Sequence, residues 1–244
     1  MSRVYTDTLE PRKPTQDITL GTAGETISVG ANSINVNTVK DKGGNTLWTS
    51  NGSGVLSSVN SALKGNLVLL STQTASTSAS ISFTSDIDST YDLYIFSYNQ
   101  VHPSDANATL RINFSIDGGS NYNVTKTTSY FVTHVREDAV DPVLEYTTGR
   151  DLANSTSSQD LVYSTYNDDD AAAVGNVWLF SPSSITLAKN FYCKSRAMHH
   201  SVEPYTSGSF VAGYLSTTSA INAVQFTMSA GTIDNGQFKM YGLL

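Results

Sequence analysis

The chain has 244 residues, 39% hydrophobic and 14% charged, a balance too apolar for a disordered chain and too evenly polar for a membrane protein. No apolar run reaches the roughly 18 residues that a membrane-spanning helix needs. The net charge of −7 comes without a local cluster of Lys and Arg, which argues against nucleic-acid binding, and the single cysteine, Cys193, excludes an internal disulfide and reads as a buried or half-buried thiol.

The opening MSRVYTDTLEPRKPTQD has no apolar stretch behind Arg3, so no secretory signal is expected. Pro11 and Pro14 with polar flanks favour an extended arm. Short apolar pairs follow, each separated by a turn bearing Gly or Asn. Ile18 and Leu20 precede GTAGE, Ile27 and Val29 precede GANS, Ile34, Val36 and Val39 precede KDKGGN, and Leu47 and Trp48 precede SNGSG. This spacing predicts very short strands with tight turns over residues 1–60. At about 25 cal/mol per Å², a few half-exposed aliphatics do not offset backbone ordering at about 1–2 kcal/mol per residue. Other chains are expected to cover these strands, either further copies around a threefold axis or another protein. Leu9, Pro11, Ile18, Leu20, Ile27, Val29, Ile34, Val36, Leu47 and Trp48 are the residues expected to anchor and oligomerise.

From about Gly65 the strands lengthen. Leu67–Leu70 is apolar throughout, and Ala79, Ile81 and Phe83 alternate with serines. Tyr91–Tyr98 is apolar or aromatic on both faces, as in a central strand. Leu110, Ile112, Phe114 and Ile116 alternate with polar residues and predict a strand with one wet face. The DGGSN sequence at 117–121 predicts a hairpin, with Tyr122–Val132 returning antiparallel to it. The stretch from Arg136 to Asp170 reads as long loops with short strands at Val143–Tyr146 and Leu161–Tyr163, and at most one helical turn near Asp151–Ser155. Strands resume at Val174–Phe180, Ile185–Arg196, Phe210–Leu215, Val224–Met228 and Phe238–Leu243, the last making the carboxy terminus an integral strand. Many strands without intervening helices predict an all-β fold: a jelly-roll-like antiparallel β-sandwich over residues 65–244, preceded by the arm of short strands.

No catalytic constellation stands out. GTAGE, GGSN and GSG are turn glycines and not a nucleophile elbow, and His102, His134, His199 and His200 do not form the paired zinc-binding pattern. The chain therefore reads as a non-enzyme without a cofactor. Asp168, Asp169 and Asp170 form the densest acidic run and the one place from which a calcium site would be drawn. Their spacing is not that of a calcium loop, so a solvated loop tip is the reading. The 13 tyrosines matter more. Most tyrosines in a sandwich are half-buried packing residues. Tyr122, Tyr130, Tyr146, Tyr163, Tyr166 and Tyr205 fall near predicted strand ends or loops and are the candidate glycan contacts.

Three stretches carry a family resemblance: TLEPRKPTQDITLGTAGETISV running on to GGNTLWTSNGSGVLSSVNS, the central STYDLYIFSYNQVHPSDANATLRINFSIDGGSNYNVTKTTSYF, and FVAGYLSTTSAINAVQFTMSAGTIDNGQFKMYGLL. Together they resemble tail-fibre-like and other virion structural proteins of marine and cyanobacterial tailed phages. The resemblance covers most of the chain and brings no catalytic motif. It implies a homotrimer anchored to other virion proteins through residues 1–60, with a β-domain exposed for host attachment, and assembly in the host cytoplasm into the virion; a host-surface glycan is the partner that the tyrosines, and not the resemblance, would supply. A capsid decoration or cement protein that stabilises the head lattice is the alternative it leaves open. Neither nucleic acid nor membrane insertion is expected.

Overall fold

The structure, a computed structural model of the chain, describes residues 36–53, 56–59, 66–140, 142–199 and 204–243. The chain divides into two compact units, Met1–Leu63 and Lys64–Leu244. Among the described residues there is no helix, and every strand pairing is antiparallel. The anchoring candidates Leu9, Pro11, Ile18, Leu20, Ile27, Val29 and Ile34 lie outside the described residues.

In the first unit, β1 (Thr38–Lys40), β2 (Thr46–Ser50) and β3 (Leu56–Val59) form a three-stranded meander. Its first turn is built by side-chain chemistry. The Asp41 carboxylate accepts the Asn45 backbone N–H at 2.9 Å, and Gly44 supplies a left-handed φ of 83°. Val39, Leu47 and Trp48 are half-buried and Val36 is exposed. No residue of this unit whose burial is described is fully buried.

The second unit is a sandwich of unequal sheets. The larger has eight strands in the order β4 (Leu67–Ser78), β15 (Ile233–Leu243), β6 (Leu93–Pro103), β11 (Ala173–Phe180), β12 (Lys189–His199), β13 (Tyr205–Leu215), β8 (Lys126–Arg136) and β9 (Val143–Tyr146). The smaller runs β10 (Gln159–Asp160), β7 (Leu110–Ser115), β14 (Ala223–Met228) and β5 (Ser80–Phe83). The two sheets share one apolar core. Phe226 of β14 meets Phe83 at 6.4 Å, Phe96 at 6.1 Å, Tyr98 at 6.1 Å and Phe238 at 5.2 Å between ring centroids, and Phe114 meets Phe191 at 5.2 Å. Each such side chain contributes about 1.5–3 kcal/mol by burial. The last strand, β15, lies between β4 and β6, so the carboxy-terminal segment is part of the sheet interior. The expected antiparallel sandwich is present; its likeness to a jelly roll goes as far as that.

Several local expectations are corrected. The 117–121 turn forms, with Asp117 accepting from Ser115 Oγ at 2.6 Å and from the Asn121 backbone N–H at 2.9 Å. It does not make a hairpin of β7 and β8, because β7 is already flanked by β10 and β14. The chain runs back only briefly, with the Val124 N–H on the Phe114 carbonyl at 3.4 Å, then joins the other sheet at Lys126. Nor is the second face of β7 wet: Asn113 is 6% exposed and Ser115 is fully buried. The Asn113 side-chain amide donates to the Tyr122 and Thr156 carbonyls at 2.6 and 3.1 Å, which closes the loops over that face. The strand expected at Leu161–Tyr163 forms two residues earlier, as β10. Ile185 and Leu187 are 77% and 65% exposed in a turn, and β12 starts only at Lys189. Residues 151–155 are not helical; the Leu152 and Ser155 carbonyls accept from Thr128 and Lys126 N–H, both at 2.8 Å, so this segment straps the edge of β8.

A polar seam crosses the core. The Tyr98 hydroxyl lies against Ser195 Oγ and is 3.5 Å from Cys193 Sγ, and Tyr130 donates to Ser209 Oγ at 2.6 Å. Gly175 makes the first contact possible: a Cβ there would sit 2.5 Å from Tyr98 Oη and 2.7 Å from the Lys194 carbonyl. Burial raises the phenols of Tyr98 and Tyr130 and pushes the Cys193 thiol to about 11, so the lone cysteine is held as a neutral core group.

Lys126 is fully buried, and its ammonium donates to the Ser157 carbonyl at 2.7 Å; burial brings its pKa down to about 8. Between that value and its ordinary one, the folded chain binds fewer protons than the unfolded chain, so this group's contribution to stability rises as pH climbs through 8. Cys193 and the buried tyrosines act oppositely at higher pH, so a variant isolates the effect. Lys126→Met is expected to be more stable than wild type near neutral pH, by on the order of 2–3 kcal/mol. In urea unfolding that gap should shrink as pH is raised towards 10. A gap independent of pH contradicts a buried ammonium.

Candidate functional site

Strand alternation gives the eight-stranded sheet one face on the core and one outside. Along β12, Phe191, Cys193, Ser195 and Ala197 are buried while Lys194 and Arg196 are exposed. The pairing registers place these outward residues in cross-strand rows. In one row Lys239 pairs with Ser97, Ser97 with Asn176, Asn176 with Lys194, and Lys194 with Phe210. In a neighbouring row Tyr241 pairs with Ile95, Ile95 with Trp178, and Trp178 with Tyr192. The Trp178 and Tyr192 rings stack at 4.5 Å, and Phe180 stacks on Tyr192 at 5.7 Å.

Short side chains on the middle strands, Ser97 and Asn176, lie between long ones on either side, so the face is hollowed. The hollow has a volume of about 530 Å³. Lys194, Arg196 and Lys239 line it together with Phe210, Tyr241 and the amides of Asn99, Asn176 and Gln237, and no carboxylate lines it. Among the described residues, none offers these three cations a side-chain hydrogen bond or an ion pair. Arg196 passes close to its strand partner Gly208, where a Cβ would be 3.0 Å from its Nη1. The basic character of this trough was missed in the sequence, which shows no cluster of Lys and Arg. Lys194 and Arg196 are two residues apart and so share a strand face. Lys239 joins them only through β15, β6 and β11.

The six candidate tyrosines disperse. Tyr130 is fully buried, because it shares the inward parity of Thr128 and Val132; as a glycan contact it is corrected. Tyr122 is half-buried, and its hydroxyl would be 2.7 Å from a Cβ at Gly119, so it packs on the 117–121 turn. Tyr146 is 54% exposed and its hydroxyl donates to Asp151 at 2.8 Å. Tyr163, Tyr166 and Tyr205 do come together, with two histidines. Tyr205 stacks on His199 at 4.5 Å, Tyr166 approaches His199 edge-on at 5.4 Å, and His134 lies 5.4 Å from Tyr205 and 6.3 Å from Tyr163. All three tyrosines are half-buried, and desolvation raises the Tyr205 phenol, so this cluster plugs one end of the core.

Arg150 secures the same end. It donates to Asp160 at 2.7 Å and to Thr109 Oγ1 at 3.3 Å, and its guanidinium lies 4.5 Å above the Tyr163 ring. Arg111 Nε holds the other Asp160 oxygen at 2.7 Å. The Asp168–Asp170 run sits at a loop tip where His102 Nε2 is 3.0 Å from the Asp168 carbonyl, while Asp169 and Asp170 border a polar hollow with Asp234. Among the described residues, no three of His, Cys, Asp and Glu are placed to hold a metal ion. His200 lies outside the described residues. Among the described residues, no helix is long and apolar enough to cross a membrane.

Comparison of the chain with protein-family models, with curated proteins and with solved structures finds no match.

The Arg150 network gives a graded expectation. The Asp160 side chain is 14% exposed, and Arg150 is the less exposed of its partners at 21%, against 38% for Arg111. Arg150→Met should cost about 1–3 kcal/mol in denaturant unfolding and Arg111→Met less than about 1 kcal/mol. Equal costs would contradict the role given to Arg150.

Proposed function

We propose that the chain is a non-enzymatic structural component of a tailed-phage particle: a trimeric, fibre-like protein anchored through its amino-terminal unit, with the sandwich exposed for contact with a host surface. One observation carries this reading. Strands form in the Met1–Leu63 unit, yet none of its residues of described burial is buried, and Val36 and Leu56 are 42% and 50% exposed. Half-covered strands of three to five residues do not offset their own ordering cost, which supports a reading in which other chains complete this unit. The sandwich, by contrast, has a continuous core of its own. An assembly segment joined to a self-sufficient β-domain is what a particle-bound attachment protein requires, and the sequence resemblance to virion proteins points the same way.

The molar mass of the purified full chain, by size exclusion with light scattering, tests the assembly. Three chains per particle in solution is the expected result, and a monomer across the micromolar range overturns it. Copy number per virion, by quantitative mass spectrometry, tests the place. A few to tens of copies fit a fibre, whereas hundreds would reassign the chain to the capsid lattice as a decoration protein.

A further inference from the structure

We propose that the basic trough on the outer face of the eight-stranded sheet is a binding site for an anionic polysaccharide, one carrying carboxylate or sulfate groups along a chain of sugars. This deepens the host-contact reading above and rests on it only for where such a ligand would be met; the binding chemistry is independent of it.

The first argument is charge segregation. The chain carries 21 Asp and Glu against 14 Lys and Arg, so a random surface hollow of this size would collect acids at least as readily as bases. This one collects Lys194, Arg196 and Lys239 and no carboxylate. Like charges gathered in one concavity repel, and here no described side chain neutralises them. An anionic ligand removes that repulsion and meets the unused donors with charge-assisted hydrogen bonds.

The second argument is span. Lys239 on β15 and Lys194 on β12 are three strand intervals apart in the sheet order. At about 4.8 Å per interval they are separated by roughly 14 Å. A single phosphate or acetate cannot bridge that distance, but successive acidic sugars can. The third argument is the rest of the lining. Ser97, Asn99, Asn176 and Gln237 offer hydroxyl and amide groups that match sugar hydroxyls, and Tyr241 and Phe210 stand on either side as aromatic surfaces. The floor is fixed sheet backbone, so little ordering is lost on binding.

A nucleic acid is the less favoured polyanion. Three cations release few counterions, and the net charge of −7 repels a phosphate backbone.

The test is isothermal titration of the full-length protein with a polyuronate, with a sulfated dextran and with neutral dextran, and with single-stranded DNA as a competing class. The expected result is salt-sensitive binding of one or both acidic polysaccharides and none of neutral dextran. Lys194→Gln, Arg196→Gln and Lys239→Gln should each weaken binding by about three- to tenfold, the loss of one charge-assisted contact. The triple variant should abolish it while unfolding at the wild-type temperature. Lys40→Gln with Lys42→Gln, in the amino-terminal unit, should leave binding unchanged. Undiminished binding by the triple variant overturns the site. So does DNA bound as tightly as polysaccharide through the same residues. Absence of polysaccharide binding by a wild-type chain that still assembles into trimers overturns the trough and leaves the assembly reading standing. A triple variant that binds nothing but remains trimeric separates the two in the other direction.

Discussion

The sandwich turns on one aromatic contact set. Phe226 on the small sheet reaches Phe96, Tyr98 and Phe238 on the large one and Phe83 on its own. β14, which carries it, is a central strand of the small sheet, and β6 and β15, which carry its partners, are neighbours in the large one. Truncating such a ring removes about 3–5 kcal/mol, a large part of the stability of an ordinary domain. Which residues face inward is then fixed by parity, because a strand that slips by one residue exchanges its faces.

Unequal sheet widths follow from the same arrangement and govern what is left outside. Four strands cannot cover eight. Towards β8 and β9 the cover is supplied by side chains and loop segments, with Lys126, Tyr130 and the Tyr163–Tyr205–His134 cluster filling the space. A hydroxyl seam through Tyr98, Ser195, Ser209 and Tyr130 runs among the inward groups: Tyr98 reaches Ser195 across Gly175, which pairs with both, and Tyr130 reaches Ser209 on the diagonal, since Ser209 pairs with Val132. The reverse face of the large sheet carries the complement of that pattern. Residues between the inward ones on β12 and β15 are Lys194, Arg196 and Lys239, and the trough is a consequence of the register that builds the core.

The sequence shows its strands where apolar alternation is clean. The β5, β7 and β14 strands match their expected bounds within a residue or so, because period-two burial needs no partner to be recognised; β9 also matches its expected bounds, without such alternation. It does not show which sheet a strand enters. The 117–121 turn chemistry is real, but a turn fixes only a local reversal, and β7 had two better neighbours already. The candidate site was half legible. Tyr146, expected near a strand end, is exposed on the edge strand β9, whereas Tyr130 is buried, an inward direction that its spacing from Val132 encodes. The trough needed five strands in register, information carried by long-range pairing and not by any window of sequence.

The proposed assembly rests on one contrast: the Lys64–Leu244 sandwich has a continuous core of its own, whereas none of the Met1–Leu63 residues of described burial is buried. Hydrogen–deuterium exchange of the full chain, read by mass spectrometry at a dilution that gives monomer and at a concentration that gives the assembly, separates the two units directly. The account predicts that amides of β14 are protected under both conditions, while amides of β2 gain protection only in the assembly. Equal, strong protection of β2 in the monomer would contradict it.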